Sequence, residues 1–162
     1  MLAEREVTRL DAPARPRQAT PWMVTAGLAS LGAGAVHFAA AGAHGDHKQA
    51  VVIFTALAIA QVGWGGLAMA RRDALTGYAG IVLGISAVGG WAMAKAVGLP
   101  FDGLQVPEPL QLADVSAAVL AALSTVLAAA AMGRGRGVLL PPWAVAAPLA
   151  IVTAIATVAT DE

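Results

Sequence analysis

The sequence predicts an all-α integral membrane bundle of five transmembrane helices, on three observations. The chain of 162 residues is 58% hydrophobic and only 12% charged, against about 25% charged in soluble domains. Its mean hydropathy is +0.71. Five apolar stretches are each long enough for a hydrocarbon core of about 30 Å, which takes roughly 20 helical residues. Breakers and clustered charge separate them.

In chain order, residues 1–20 ("MLAEREVTRLDAPARPRQAT") form a polar, Pro-containing tail. The spans then fall at 22–43, 50–70, 77–98, 113–132 and 138–159, within a transmembrane domain over 21–160. Their connectors are "HGDHKQ", "RRDALT", "LPFDGLQVPEPLQL" and "GRGRG". Pro148 within the last stretch, and Pro141 and Pro142 at its start, make it the readiest to kink.

The cations orient this arrangement. Arg5, Arg9, Arg15, Arg17, Arg71, Arg72, Arg134 and Arg136 share one side if five spans alternate, and only Lys48 and Lys95 fall opposite. Cytoplasmic loops are rich in Lys and Arg, so the N-terminus is expected inside and the C-terminus outside. Trp22, Tyr78 and Trp143 lie near the inner ends of their spans, where amphipathic rings anchor. Lys95 lies about 27 Å along span three, close enough to the outer headgroups to snorkel.

Small residues set the packing. Gly80 and Gly84 form a GxxxG pair in span three, Gly27, Gly32 and Gly34 lie in span one, and Gly63, Gly65 and Gly66 in span two. Such positions let helices approach closely in lipid, within the chain or across a dimer face.

Several chemistries are excluded. Cysteine is absent, which removes disulfides, thiolate nucleophiles, Fe–S clusters and Cys-type zinc sites. The formal net charge is zero, so no basic field addresses nucleic acid. HExxH, GxSxG and P-loop motifs are missing. No carboxylate sits at the centre of a span to relay protons.

All three histidines lie in "VHFAAAGAHGDHKQ". His37 falls just below the outer interface, and His44 and His47 at or beyond it. On a straight helix His37 and His44 would be about 10.5 Å apart along the axis, too far to share an ion bound at about 2.0–2.1 Å. Gly42 and Gly45 are places where the helix can break and fold His44 back. His44 and His47, three apart, suit one copper or zinc ion, with His37, Asp46 or Glu108 completing the shell. The competing readings are a solvated loop and a proton-linked switch near pH ~6.5. A further alternative is cleavage after Ala43 at the A-x-A pattern "AGAHG", which would leave His44 as a new N-terminus. Gln61, mid-span, reads as an interhelical hydrogen bond or a site wall.

The long outer connector is expected to act as a lid, with Asp114 capping span four. Asp102, Glu108 and Asp114 fall on the histidine side. The expectation is a non-enzymatic membrane protein with an extracytoplasmic His/acidic cap that binds copper or zinc. The alternative is an accessory subunit of a larger complex, or a homo-oligomer, with no metal.

The pieces "AVHFAAAGAH", "ALAIAQVGWGGLAM", "AKAVGLPF" and "VPEPLQLADVSA", over about 30–125, resemble a group of small multi-pass membrane proteins of high-GC, actinobacterial-type bacteria. In that group a His ends the first span, a second His follows it, a Gln sits in the second span, and a "GLPF…PEP" lid follows the third. His37, His44, Gln61 and Glu108 match those polar positions. The resemblance implies a bacterial cytoplasmic membrane location and this topology. It carries no activity.

Overall fold

A computed structural model describes residues 21–71, 73–100 and 104–136. They form four helices: α1 (Pro21–Ala43), α2 (Lys48–Ala70), α3 (Ala74–Ala96) and α4 (Leu112–Arg136). All four are long and apolar enough to cross a membrane. At 23 residues, α1, α2 and α3 each extend about 34 Å, slightly more than the hydrocarbon core.

The expectation of five is corrected accordingly: the described residues hold four such helices. The stretch 138–159, and with it the expected outer position of the C-terminus, lies outside the described residues. That assignment rested on apolar length alone. A run holding Pro141, Pro142 and Pro148 is also the poorest helix former of the five.

Consecutive helices run antiparallel. The ends of α1 and α2 that meet in the "HGDHKQ" turn lie beside the α3–α4 connector, and Arg71 lies at the other end. Around the bundle the order is α2, α1, α4, α3; the fourth side, between α2 and α3, has the slightest contact. Large apolar side chains such as Leu28, Val52, Ile59, Val82 and Ile85 point outward, while the interior is mostly alanine. Such a surface would be a liability in water and is what lipid tails require. The chain is a small all-α multi-span membrane protein.

Glycine explains the close sides. A Cβ on Gly27 would stand 2.7 Å from the Gly65 carbonyl oxygen, and one on Gly65 2.7 Å from that of Gly27. Gly34 is similarly closed by Val62. In the GxxxG pair, a Cβ on Gly80 would strike the Trp64 ring and one on Gly84 the Thr125 hydroxyl. The motif is used within the chain. Hydroxyls fasten α1 to both of its neighbours: Ser30 Oγ donates to the Gln61 carbonyl of α2 at 2.8 Å, and Ser124 Oγ of α4 to the Ala26 carbonyl at 2.9 Å.

The turn between α2 and α3 is built by Asp73, a cap that the sequence reading passed over. Its carboxylate accepts from the Thr76 N–H at 2.9 Å and the Thr76 hydroxyl at 3.0 Å. These bonds, the backbone one first, hold its carboxyl below the ordinary range. Trp64 Nε1 donates to the Thr76 carbonyl at 2.8 Å, tying α2 to the start of α3.

Candidate functional site

Toward the histidine end, the loose side between α2 and α3 opens into a cavity of about 400 Å³ bounded by all four helices. Its walls are apolar, with Ile53, Phe54 and Leu57 from α2 facing Ala87, Gly90 and Trp91 from α3. Leu99 and Leu104 from the α3–α4 connector close the top, and His37, Lys95, Glu108 and Asp114 make one region polar.

The connector folds over as a lid because Gly98 reverses it. Gly98 has φ +82, a left-handed conformation open to glycine, and a Cβ there would collide with the Gln105 backbone. Leu99 N–H then donates to the Leu104 carbonyl at 2.6 Å, and Glu108 N–H reaches the Ala94 carbonyl at 3.4 Å.

Lys95 fastens this lid. Its Nζ donates to Asp114 Oδ2 at 2.7 Å, the Pro109 carbonyl at 3.0 Å and Glu108 Oε2 at 3.3 Å. One ammonium has three N–H groups, and three oxygens meet them. The Lys95 side chain is only 4% exposed, which corrects the snorkelling expectation. Two carboxylates nearby make inward burial preferable to reaching for the headgroups. Asp114 is also corrected: it lies in the first turn of α4 and pairs with Lys95.

His37 is fixed from below. Its Nδ1 lies 2.9 Å from the Ala33 carbonyl oxygen and 2.8 Å from Gln61 Oε1. A carbonyl oxygen can only accept, so Nδ1 carries the hydrogen, and Nε2 of the neutral ring holds a lone pair. Gln61 is 1% exposed and serves as the interhelical hydrogen bond expected of it. The His37 ring stacks on Phe54 with centroids 5.9 Å apart.

The other candidates separate. His44 packs on Phe54 at 5.1 Å with its Nδ1 donating to the Ala40 carbonyl at 2.8 Å, and it does not line the cavity. His47 is an exposed residue at the start of α2, where its side chain makes no cap, and Asp46 is exposed in the turn. Asp102 lies outside the described residues. Among the described residues no group of three or more His, Asp or Glu side chains could hold one ion. His44, His47 and Glu108 do not form such a group: His47 is exposed, and Glu108 is held by Lys95.

The sequence reading missed Trp91 and Phe54 as cavity walls. Trp91 had a legible signal: it lies four residues before Lys95, on the same helical face. Phe54 had none, since one aromatic among apolar residues marks no face.

Comparison with protein-family models, with curated proteins and with solved structures finds no match.

Proposed function

We propose that this chain is a non-enzymatic protein of the bacterial cytoplasmic membrane that takes a small membrane-soluble amphiphile into the cavity between α2 and α3. The cavity carries this reading: its volume falls in the range of ligand pockets, roughly 300–1,000 Å³, and such pockets pair apolar walls with a few convergent polar groups. The polar groups stand at the histidine end of the helices and the apolar walls continue deeper. An amphiphile in a bilayer has the same order, head at the interface and tail inward. Slight contact between α2 and α3 offers lateral access from the lipid.

The test is to isolate the chain in nanodiscs excised with native lipid and identify what it retains by mass spectrometry. Gly90 lines the cavity, and a Cβ there meets nothing within 4 Å, so Gly90→Leu fills space without a backbone clash. One species held at about one equivalent by the wild type and lost from Gly90→Leu supports the reading. Identical contents in both proteins refute it.

A copper or zinc site has one observation in its favour. His37 and His44 both anchor Nδ1 on the carbonyl four residues back, the tether metal-bound imidazoles commonly use to present Nε2. Elemental analysis of tag-free protein decides it. About one equivalent of metal, lost in His44→Ala, supports the site, and none after loading with copper and zinc removes it. The accessory-subunit or homo-oligomer reading rests on Gly63 and Gly66, where a Cβ would meet open space, and co-purification tests it.

A further inference from the structure

One nitrogen on the cavity wall is held in place and has no partner. His37 lines the cavity, and so does Phe54, on which the His37 ring stacks. Nδ1 of that ring is tied inward, 2.9 Å from the Ala33 carbonyl and 2.8 Å from the side chain of buried Gln61. The Ala33 oxygen belongs to the backbone and can only accept. Nδ1 therefore carries the hydrogen whichever way the Gln61 amide is set. Nε2, on the other side of the neutral ring, is left with a lone pair. It has no partner among the described residues, and it remains accessible. What His37 lacks is a donor.

The other polar groups of the wall narrow the ligand further. Lys95 has three oxygens for its three N–H groups, so it has none left for a ligand. The Trp91 indole N–H is buried within the protein and closed to a ligand. The Ser86 hydroxyl can donate or accept and favours neither. A head that only accepts, such as a ketone or an ether, would set its lone pairs against that of Nε2. A carboxylate would do the same and add charge beside Glu108 and Asp114, which outnumber Lys95 by one formal charge. An ammonium could donate to Nε2, but it would carry its charge past apolar walls and come to rest near the Lys95 ammonium. A hydroxyl donates to Nε2 and meets none of these objections.

We infer that the cavity selects an uncharged amphiphile whose head carries a hydroxyl, such as a long-chain alcohol or phenol, and that this hydroxyl donates to His37 Nε2. This rests on the cavity being a binding site and names the class of molecule it takes. His37 is then the specificity-determining residue, and the apolar walls hold the tail.

The experiment uses the full chain in lipid nanodiscs at about pH 8, above the ordinary imidazole range. The radiolabelled probes, matched in length, are dodecanol, methyl undecyl ether, dodecylamine and dodecanoate. Equilibrium binding is measured, and the signal that remains in Gly90→Leu is subtracted as bilayer partitioning. Dodecanol is expected to bind tightest, about five-fold tighter than the ether, which has the oxygen without the O–H. His37→Phe keeps a ring to stack on Phe54 and removes Nε2. It should weaken dodecanol about five-fold and leave the ether unchanged. Equal loss of both would mean a merely structural role for His37, which overturns the inference. So does tighter binding of the ether, the amine or the carboxylate. Nitrogen NMR of the histidine-labelled wild type gives a measurement independent of His37→Phe. The His37 Nε2 resonance, assigned by elimination in His44→Ala and His47→Ala, should move upfield with dodecanol and stay in place with the ether. A resonance unmoved by dodecanol overturns the hydrogen bond. If Gly90→Leu removes binding of no probe, the cavity reading fails as well, an outcome distinct from binding with the wrong preference.

Discussion

Replacing Lys95 by Met should destabilise the bundle strongly, and the structure allows the size to be worked out. The side chain is 4% exposed, and its two acidic partners are 19% and 34% exposed. Removing one member of a fully buried pair costs about 3–5 kcal/mol, because the remaining charge keeps its desolvation penalty without its partner. Here two carboxylates are stranded, but both see some water, and screening lowers the figure to about 2–3 kcal/mol. Reversible unfolding in mixed detergent micelles, followed by tryptophan fluorescence, measures it. The triple variant Lys95→Met, Glu108→Gln, Asp114→Asn removes all three charges and should return to within about 1 kcal/mol of the wild type. The two variants together separate loss of a charge network from loss of lysine packing. A Lys95→Met protein within about 0.5 kcal/mol of the wild type would refute the reasoning. It would mean that Lys95 spends its time at the headgroups with the lid unfastened.

The glycines divide into two classes that stability should distinguish. Gly27→Val forces a side chain against the Gly65 carbonyl and should lose about 1–3 kcal/mol, whereas Gly63→Ala, in open space, should be neutral or gain up to about 1 kcal/mol from helix propensity. The same micelle titration reads both. Asp73→Ala should lower the melting temperature by removing the cap of α3. Because the Asp73 carboxyl is held below its unfolded value, its contribution is present above about pH 3.9 and is lost as pH falls through the lower folded value. The wild type should therefore lose more stability than Asp73→Ala on acidification below about pH 3.9, and parallel curves would remove the cap from the account. A double-mutant cycle with His37→Phe and Gln61→Leu should show a coupling of about 0.5–1.5 kcal/mol, the value of one intramolecular hydrogen bond. Additive effects would mean that His37 is held by Ala33 alone.

Much of the bundle was legible because a bilayer imposes a length and a polarity. Spans 22–43, 50–70, 77–98 and 113–132 were found within a few residues, and Gly27, Gly34, Gly65, Gly80 and Gly84 are the packing positions expected, whereas Gly63 and Gly66 face open space. The fifth stretch, 138–159, lies outside the described residues, and apolar length, though necessary for crossing, does not weigh Pro141, Pro142 and Pro148 against it. The site was harder. Proximity in sequence grouped His37, His44 and His47, yet only His37 and His44 share a neighbour, Phe54, while His47 is exposed past the turn. The groups that do meet come from four separate elements: His37 from α1, Lys95 from α3, Glu108 from the lid and Asp114 from α4. Nothing local in the sequence links Asp114 with Lys95, 19 positions earlier; only the fold of the lid does. Lys95 was misread for a physical reason. Its depth permitted snorkelling, and depth alone cannot reveal that two carboxylates and a carbonyl wait on the inner side.

The lid and the cavity are connected through Lys95, and this constrains how the site can open. The ammonium holds three oxygens from two segments, the Glu108–Pro109 stretch of the lid and Asp114 at the start of α4. Lifting the lid would therefore break at least two charge-assisted contacts at once, while separating α2 from α3 breaks few of any kind. The lower barrier is on the membrane side. A ligand that reaches the cavity from the lipid passes between apolar walls of α2 and α3 and meets the polar groups last, which suits an uncharged amphiphile. The ion network, with Lys95 buried and its carboxylates partly exposed, then acts as a roof over the polar end of the cavity.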